Sequence, residues 1–499
     1  MKLNKGRRVL AIGLDAAEPT LIRRHMETGE LPVLKRLLEE GTWSSVASPA
    51  RIGSGTVWPT FFTGTEPAAH GIHSDWCWQP ETMSLMRYDG RKLTPFWKSL
   101  ADEGMRVGVL DMPFAPLVGL SSGFEINEWG AHDVFEGRMR FAPENLSDIL
   151  TKQLAPHPFS IEKPGALAEH DFDGLKKFSA GCLEGVGLRG ELASRLIRET
   201  GTQLSIIIFP EIHHAAHKLW HTLASGNSLY AHGEIEDARQ LENALPDILR
   251  EVDRQIGRLI EAAGDEATVL VFSLHGMRLA RGLPAFLAPL LCATAHSHIA
   301  GWTAQNWTER ALSLFAAIKR RTPSGLKKLY HRGLPQEVTH KLAQPTMIPA
   351  YDWRQTRAFA LPSDQHGWIR INLAGREAKG CVPLERYSET CREIEEMLRS
   401  LATEDGRPLV RDVIRTAQAA DDSLSQVIPD MVVHWQDAAF ELPMRMNGLL
   451  LEAHPAAAAQ TGQHAPDGFC IVKGRKARGA QTISAAEIHS IITEALMED

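Results

Sequence analysis

The sequence predicts an α/β fold with a central, mostly parallel sheet flanked by helices, and three observations support that prediction. Short apolar runs, each the length of a buried strand, occur at residues 9–14, 204–209 and 268–273. Stretches with apolar residues at helical spacing separate them, as in consecutive βαβ units. Polar side chains follow each run, at the carboxyl edge where parallel strands end together.

The first elements follow in chain order from apolar periodicity. The run at 9–14 is the first strand, and residues 31–41 then place apolar side chains at helical spacing until Gly41 stops the helix. Residues 107–111 predict another strand. Residues 238–262 predict a long amphipathic helix, because a one-sided apolar stripe of this kind is typical of core packing.

Two regions of weak periodicity, residues 73–200 and 278–350, interrupt this alternation. We interpret both as insertions that cap the sheet edge within a single domain spanning residues 1–499, because strands and helices resume after residue 351. The later elements are predicted as strands at 357–361, 368–373 and 430–435 and as helices at 384–402 and 485–492.

The composition excludes several classes of function. The 499 residues are 43% hydrophobic and 23% charged, and a net charge of -7 gives no general attraction to nucleic acid. No apolar run reaches the length of a membrane span. The six cysteines form no C-x-x-C pair, which predicts free thiols in a reducing, cytoplasmic compartment. We therefore expect a small anionic substrate and neither a nucleic-acid nor a membrane partner, with the oligomeric state left open.

Side chains of the metal-binding type recur at the ends of predicted strands and in one glycine-rich turn. They are Asp15, His213, His217, His275 and His464. His213 and His217 are spaced i, i+4, so both lie on one face of a helical turn and can chelate one ion. A single histidine at a strand end is more typical of a satisfied core residue. Their shared position, together with an acidic strand-end residue, predicts a divalent-metal site that neutralises an anionic substrate.

Ser54 is the candidate nucleophile because it begins the predicted helix Ser54-Gly55-Thr56-Val57-Trp58-Pro59. Backbone N–H groups at a helix start favour an alkoxide and a bound phosphoryl oxygen. An ordinary N-cap serine would occupy the same position. Spacing alone favours that simpler interpretation.

Taken in order, these segments resemble the alkaline phosphatase superfamily, in particular its type I phosphodiesterase/nucleotide pyrophosphatase branch. Gly13-Leu14-Asp15-Ala16-Ala17 is similar to the branch's first metal-binding aspartate segment. Ser54 to Thr63-Gly64 and Pro67 to His70-Gly71-Ile72 are similar to its nucleophile helix and the stretch behind it. The match continues through Tyr351-Asp352-Trp353, Gly375-Arg376-Glu377, Pro429-Asp430 and Gly462-x-His464. The resemblance implies an alkaline-phosphatase-like sheet.

The resemblance also implies two divalent ions, commonly zinc, that lie close together. Carried over to this chain, Asp15 and His275 would bind the ion that activates Ser54, and His217 and His464 would bind the other ion. Aligning on Thr63-Gly64 makes Ser54 the nucleophile and Thr56 the less favoured choice. No organic cofactor is expected.

The nucleophile-side ion site departs from the branch's pattern. Leu274 stands where the branch has an aspartate before His275, and leucine cannot bind a metal. Asp15 is then the one carboxylate kept, and two close dications repel each other strongly near a single carboxylate. We expect this site to be weak or empty, unless Glu211, Asp133 or the substrate completes it.

The other ion site departs in a different way. His213 stands where the branch has an aspartate four residues before the later histidine, so His213, His217 and His464 form a neutral three-histidine set. Such a set suits tetrahedral zinc with one open position, with iron or manganese as alternatives. The sequence therefore predicts one strong metal site.

Three functions are compatible with these residues. The first is a metal-dependent hydrolase or transferase that acts on a phosphate ester or diester through Ser54. The second is a mononuclear three-histidine metalloenzyme that performs a different tailoring reaction on a small metabolite. The third, a non-catalytic descendant that binds metal or ligand, is disfavoured because His213 is itself a competent ligand. The C/S-x-P-x-R setting of sulfatases is absent around Ser54.

Overall fold

The strands and helices alternate along much of the chain. A computed structural model describes residues 3–88, 90–131, 139–147, 156–158, 171–223, 239–279, 286–299, 348–363, 365–403, 406–416, 427–436, 444–446, 449–451, 461–473 and 481–497. The described strands are β1 (Val9–Leu14), β2 (Gly41–Ala47), β3 (Trp76–Gln79), β4 (Ser84–Arg87), β5 (Val107–Leu110), β6 (Gly123–Asn127), β7 (Arg140–Ala142), β8 (Leu204–Phe209), β9 (Thr268–Ser273), β10 (Gly276–Leu279), β11 (Ala358–Leu361), β12 (Gly367–Ile371), β13 (Val410–Arg415), β14 (Met431–Trp435), β15 (Met444–Met446), β16 (Leu449–Leu451), β17 (Gly462–Ala465), β18 (Asp467–Lys473) and β19 (Gln481–Ser484). The described helices are α1 (Pro19–Glu27), α2 (Pro32–Glu39), α3 (Val57–Thr63), α4 (Pro67–His70), α5 (Phe96–Asp102), α6 (Phe172–Thr200), α7 (Glu211–Leu219), α8 (Ala244–Ala263), α9 (Leu287–Ala293), α10 (Tyr387–Arg399) and α11 (Ala485–Ala495).

The chain divides into two compact units, each with its own core. The first unit comprises Met1–His70, Asp89–Ala280 and Pro455–Asp499, and the second comprises Gly71–Tyr88 and Arg281–His454. The predicted single domain over 1–499 and the predicted insertion boundaries at 73–200 and 278–350 stay predictions. Much of the second predicted insertion, residues 300–347, lies outside the described residues.

The first unit contains a nine-stranded sheet in the order β19-β2-β18-β9-β1-β8-β5-β6-β7. The five central strands, from β9 to β6, are all parallel, and β1 pairs with β8 on one side and β9 on the other. The antiparallel pairs described in this sheet are those of β18 with β2 and β9 and that of β6 with β7. The predicted α/β class with a mostly parallel central sheet is confirmed. Strands β1, β5 and β8 are buried along their whole length, as expected where both faces of a sheet are covered.

The long helices α6 and α8 pack against each other beside this sheet. Gly190 permits that approach, because a Cβ atom there would lie 2.1 Å from Gln255 Oε1. The helix predicted at 238–262 begins later, at Ala244. Pro246 lies in its first turn, the one part of a helix where a residue without an N–H group is tolerated, so the start of the helix is fixed close to that proline.

The second unit contains a four-stranded antiparallel sheet in the order β11-β12-β14-β13. The strands predicted near 357–361, 368–373 and 430–435 are present but belong to this separate sheet. A buried ion network supports it: both guanidinium NH groups of Arg376 donate to the Asp430 carboxylate at 2.7 Å. The resemblance segments around Gly375-Arg376-Glu377 and Pro429-Asp430 therefore have a structural role in this unit.

Among the described helices, none is long and apolar enough to cross a membrane. All six cysteines are free thiols, and five of them are buried.

Candidate metal centre

The ends of three neighbouring parallel strands bring the candidate ligands together within the first unit. Asp15 directly follows β1, His275 lies two residues beyond the end of β9, and α7 begins after β8 with a single proline between them. His213 and His217 lie on α7, one turn apart. Since β9, β1 and β8 are adjacent and parallel, their carboxyl ends meet at one edge.

His464 reaches the same place by a different route. It lies on β17, which pairs with β10 in an antiparallel ladder that sets Met277 opposite His464. The following strand β18 returns alongside β9. A close backbone contact holds β17 against α7, because a Cβ atom on Gly462 would lie 2.3 Å from the Ala216 carbonyl oxygen. All five predicted ligands are buried.

Three imidazole nitrogens converge on one point. The Nε2 atoms of His213 and His217 lie 2.9 Å apart, those of His217 and His464 3.1 Å apart, and those of His464 and His213 2.7 Å apart. We call this set the three-histidine centre. It is one of two groups of potential metal ligands among the described residues.

The far nitrogens of two of these rings fix which nitrogen carries the proton. His217 Nδ1 lies 2.8 Å from the Gly462 carbonyl oxygen, which can only accept, so Nδ1 donates and Nε2 carries a lone pair. His213 Nδ1 lies 2.7 Å from Asp15 Oδ2 and donates to that carboxylate in the same way. In the neutral tautomers that these contacts select, the Nε2 lone pairs of His213 and His217 face each other at hydrogen-bond distance, and a cation between them would satisfy both.

The geometry of the three-histidine centre fits one tetrahedral ion. Zinc–nitrogen bonds of about 2.0–2.1 Å separate tetrahedral ligand nitrogens by roughly 3.3 Å. The observed triangle of 2.7–3.1 Å is smaller by a few tenths of an ångström, which slight rotation of the rings about their side-chain bonds would relieve. Three protein nitrogens leave a fourth position for a substrate oxygen.

The second group of potential ligands shares His213 with the first and adds Asp15 and His275. His275 Nε2 lies 3.4 Å from Asp15 Oδ1. The Trp58 indole N–H donates to the same oxygen at 3.1 Å. His213 Nδ1 donates a hydrogen bond to Asp15 and is therefore not free to bind an ion. While that hydrogen bond is present, this group offers an ion two ligands, the Asp15 carboxylate and His275. Leu274, at the position of the missing aspartate, is completely buried.

Asp15 is the negative charge of the site. Burial alone would raise the pKa of Asp15, but His213 and His275 outweigh it and hold that pKa well below its usual range. The carboxylate therefore stays ionised at neutral pH and accepts hydrogen bonds from its neighbours. One buried carboxylate beside the three imidazoles is a charge balance better suited to one dication than to two.

The predicted nucleophile lies on a segment that contacts this site. Ser54 is half-buried and begins a 3-10 turn, Ser54–Thr56, that leads into α3. Trp58, four residues further on, makes the hydrogen bond to Asp15. The Thr56 hydroxyl is buried and donates to the Gly53 carbonyl at 2.6 Å, so it is committed to the turn.

Of the residues considered for completing a second ion site, Glu211 is already engaged elsewhere. Its Oε1 accepts from Arg189 Nε at 2.8 Å and lies 2.9 Å from His157 Nε2. Burial alone would raise the pKa of Glu211, but Arg189 and His157 outweigh it and lower that pKa to about 2. The other residue, Asp133, lies outside the described residues.

Sequence reasoning missed the partners that orient the ligands. Trp58 belongs to the segment similar to the nucleophile helix and Gly462 to the motif around His464, and neither has a side chain of the metal-binding type. The contact of a backbone carbonyl or an indole N–H leaves no periodic signal in a sequence. The i, i+4 spacing of His213 and His217 is visible in the sequence, and both residues lie on a helix as predicted.

Comparison with known proteins gives one family. A family model described as type I phosphodiesterase/nucleotide pyrophosphatase matches residues 9–287. No curated protein matches the chain by sequence. Among solved structures, phosphonoacetate hydrolase from Sinorhizobium meliloti is similar at 14% identity, over 98% of this chain and 96% of that one, with a TM-score of 0.49. Human ectonucleotide pyrophosphatase/phosphodiesterase 5 is similar at 11% identity, over 98% and 95%, with a TM-score of 0.45.

Proposed function

We propose, since this chain belongs to the type I phosphodiesterase/nucleotide pyrophosphatase family, that it hydrolyses or transfers a phosphate ester or diester through Ser54 and the three-histidine centre. Members of this family are hydrolases of the alkaline phosphatase superfamily. The family model covers β1, the Ser54 segment, α7 and β9, which carry four of the five predicted metal ligands. His464 follows beyond the matched residues.

The convergence of three Nε2 atoms is the observation that carries the proposal. Segments more than 200 residues apart bring these atoms within 3.1 Å of one another in a buried place. The predicted protonation leaves lone pairs where a cation would lie. We infer that this set holds one divalent ion, with zinc favoured by all-imidazole ligation. A second ion bound by Asp15 and His275 stays a prediction.

The roles of the chain's own residues follow from their placement. A bound divalent ion supplies stabilisation of negative charge on phosphoryl oxygens. Ser54 Oγ would form a bond to phosphorus as the bond to the leaving alcohol oxygen breaks; its hydroxyl proton passes to solvent and the alcohol takes up a proton. Water, or a second alcohol, then displaces Ser54. The commitment of the Thr56 hydroxyl to Gly53 supports Ser54 as the nucleophile.

A second function is supported by the buried leucine at 274. With Leu274 in place of a carboxylate, the donors that the resemblance assigns to the activation of Ser54 reduce to Asp15 and His275, so we expect weaker activation of the serine hydroxyl. A mononuclear three-histidine centre need not use a covalent nucleophile. This alternative is a tailoring reaction on a small metabolite in which Ser54 has no covalent role.

Substitution of Ser54 separates the two functions. We expect Ser54→Ala to lower kcat by roughly 10³-fold or more with p-nitrophenyl phosphate or bis-p-nitrophenyl phosphate, since the proposed covalent route depends on the Ser54 hydroxyl. Metal content should not change. Ser45→Ala, at an exposed position on β2, is the matched control and should keep full activity. Full turnover by Ser54→Ala would contradict the covalent route and favour the alternative.

The substrate and the location are part of the same proposal. A centre with one carboxylate and a positive ion suits a small, anionic phosphate compound, as expected from the sequence. The cytoplasmic location stays a prediction based on the cysteine pattern.

A further inference from the structure

We propose that Trp58 and Asp15 are positioning residues that orient His213 toward the three-histidine centre, and that Asp15 is not a ligand of the ion. The inference rests on the proposed function only in requiring an ion at that centre. It changes the role that the family resemblance gives to Asp15, from ligand to hydrogen-bond acceptor. It also gives Trp58 a role in metal binding.

The two carboxylate oxygens of Asp15 are held from different sides. Oδ2 accepts from His213 Nδ1 at 2.7 Å, and Oδ1 accepts from Trp58 Nε1 at 3.1 Å. Both Asp15 and Trp58 are buried, so water does not compete freely for these bonds. A hydrogen bond from the far ring nitrogen to a carboxylate fixes the tautomer and orientation of a metal-binding histidine.

A glycine on β1 makes the indole contact possible. Gly13 lies on β1 and Asp15 directly follows that strand, so the two residues are spaced as next-nearest neighbours whose side-chain positions face the same way in an extended chain. A Cβ atom on Gly13 would lie 2.9 Å from Trp58 Cη2 and 2.5 Å from Ile208 Cδ1. The absence of that atom lets the indole lie against the strand and reach Asp15. The helix that follows Ser54 is thereby tied to the histidine centre.

The two hydrogen-bond donors to Asp15, Trp58 and His213, differ in whether they can also accept a hydrogen bond. Indole Nε1 is always a donor, whereas an imidazole can move its proton to the other ring nitrogen. An amide in place of the carboxylate offers one accepting oxygen and one donating nitrogen. In Asp15→Asn, the amide oxygen is therefore expected to face Trp58 and the amide nitrogen to face His213. His213 Nδ1 must then accept, which moves the proton to Nε2 and blocks it as a ligand.

This arrangement predicts an unusual combination of mutant effects. Asp15→Asn should weaken metal binding by roughly 10- to 100-fold, the usual effect of losing a partner behind a metal ligand. Trp58→Phe should weaken it by roughly fivefold, the value of one ordinary hydrogen bond. In the Asp15→Asn background, however, Trp58→Phe removes the obligate donor, so the amide oxygen can turn to His213. The double variant should bind metal more tightly than Asp15→Asn alone, by roughly fivefold.

Titration of metal-free protein with Co²⁺ against a competing chelator tests this directly. The visible absorption of Co²⁺ reports both occupancy and tetrahedral coordination, without any phosphate substrate. Trp78→Phe is the matched control, because Trp78 is also fully buried and its indole N–H has no hydrogen-bond partner among the described residues. Far-UV circular dichroism and melting in excess chelator confirm that each variant folds.

Recovery of affinity in the double variant, with one ion per chain throughout, is the expected result. The inference is overturned if the double variant binds no more tightly than Asp15→Asn, or if Asp15→Asn reduces the ions bound per chain from two to one. A native chain that binds no Co²⁺ would remove the proposed metal centre and the inference with it. A failure to hydrolyse phosphate esters, with these metal results intact, would concern the proposed function alone.

Discussion

Two imidazoles of the three-histidine centre, those of His213 and His217, are oriented by a hydrogen bond at Nδ1, the ring nitrogen that faces away from the centre. Asp15 accepts from His213, and the Gly462 carbonyl accepts from His217. The sequence predicted the ligand types, since histidine and aspartate after strands are recognisable. It did not predict these partners, because a carbonyl on a distant strand and an indole on another helix become neighbours only through tertiary folding.

His70 gives a second example at this scale. It belongs to the stretch that resembles the family's nucleophile region, and its Nε2 lies 3.0 Å from Thr60 Oγ1 on α3. Burial lowers the pKa of His70 to about 4. This histidine is therefore neutral in the folded protein at neutral pH and serves the packing of α3 and α4.

The shifted pKa of His70 predicts a loss of stability in mild acid. Above pH 6.5 the histidine is neutral in both states; between pH 6.5 and about 4 the unfolded chain binds a proton that the folded chain does not. The free energy of unfolding should thus fall by about 3 kcal/mol across this window and level off below it. His70→Gln should lose less stability than the native chain between pH 7 and pH 4.5, measured by urea unfolding of metal-free protein. Parallel losses in the two proteins would contradict this role of His70.

At the scale of elements, α7 is anchored at its first residue. Arg189 on α6 donates to Glu211 at 2.8 Å and to Asp111 at 2.9 Å, and all three side chains are inaccessible to solvent. Glu211 begins the helix that carries His213 two residues later. One guanidinium between two buried carboxylates fixes the start of α7 relative to α6 and β5.

Removal of that guanidinium should destabilise the first unit. Arg189→Met leaves two buried carboxylates without their cation, and breaking a buried pair typically costs about 3–5 kcal/mol. Arg195→Met on the same helix is the control: Arg195 pairs with Glu199 at the surface, and its loss should change stability by about 0.5 kcal/mol or less. Denaturant midpoints of both variants make the comparison. Equal midpoints would show that the network does not stabilise α7.

The elements themselves were largely predictable from apolar periodicity. The strands β1, β8 and β9 lie where six-residue apolar runs occur, and α2 ends before Gly41 as predicted. The late start of α8 and the antiparallel pairing of β11 and β12 were not read from the sequence. Which strands pair depends on contacts between distant segments, and local apolar periodicity carries no information about those contacts.

At the scale of the whole molecule, every predicted site residue lies in the first unit. That unit is built from three stretches of chain, Met1–His70, Asp89–Ala280 and Pro455–Asp499, and each contributes at least one residue of the site. Because the first unit is built from these three stretches, its ligands are scattered over about 450 residues of the sequence. The positions of Asp15, His213 and His275 after strands of a predicted parallel sheet indicated that they gather at one edge, whereas the division into two units followed only from the structure.

The number of ions per chain tests the three-histidine centre most directly. Metal should be quantified by mass spectrometry on protein purified without chelators, for the native chain, for His213→Ala and for His25→Ala as a control on α1 in the same unit. We predict one tightly held ion per chain in the native and control proteins and none in His213→Ala, because the loss of one of three ligands dismantles the site. Two tightly held ions per native chain, no ion at all, or an unchanged content in His213→Ala would contradict a single three-histidine centre.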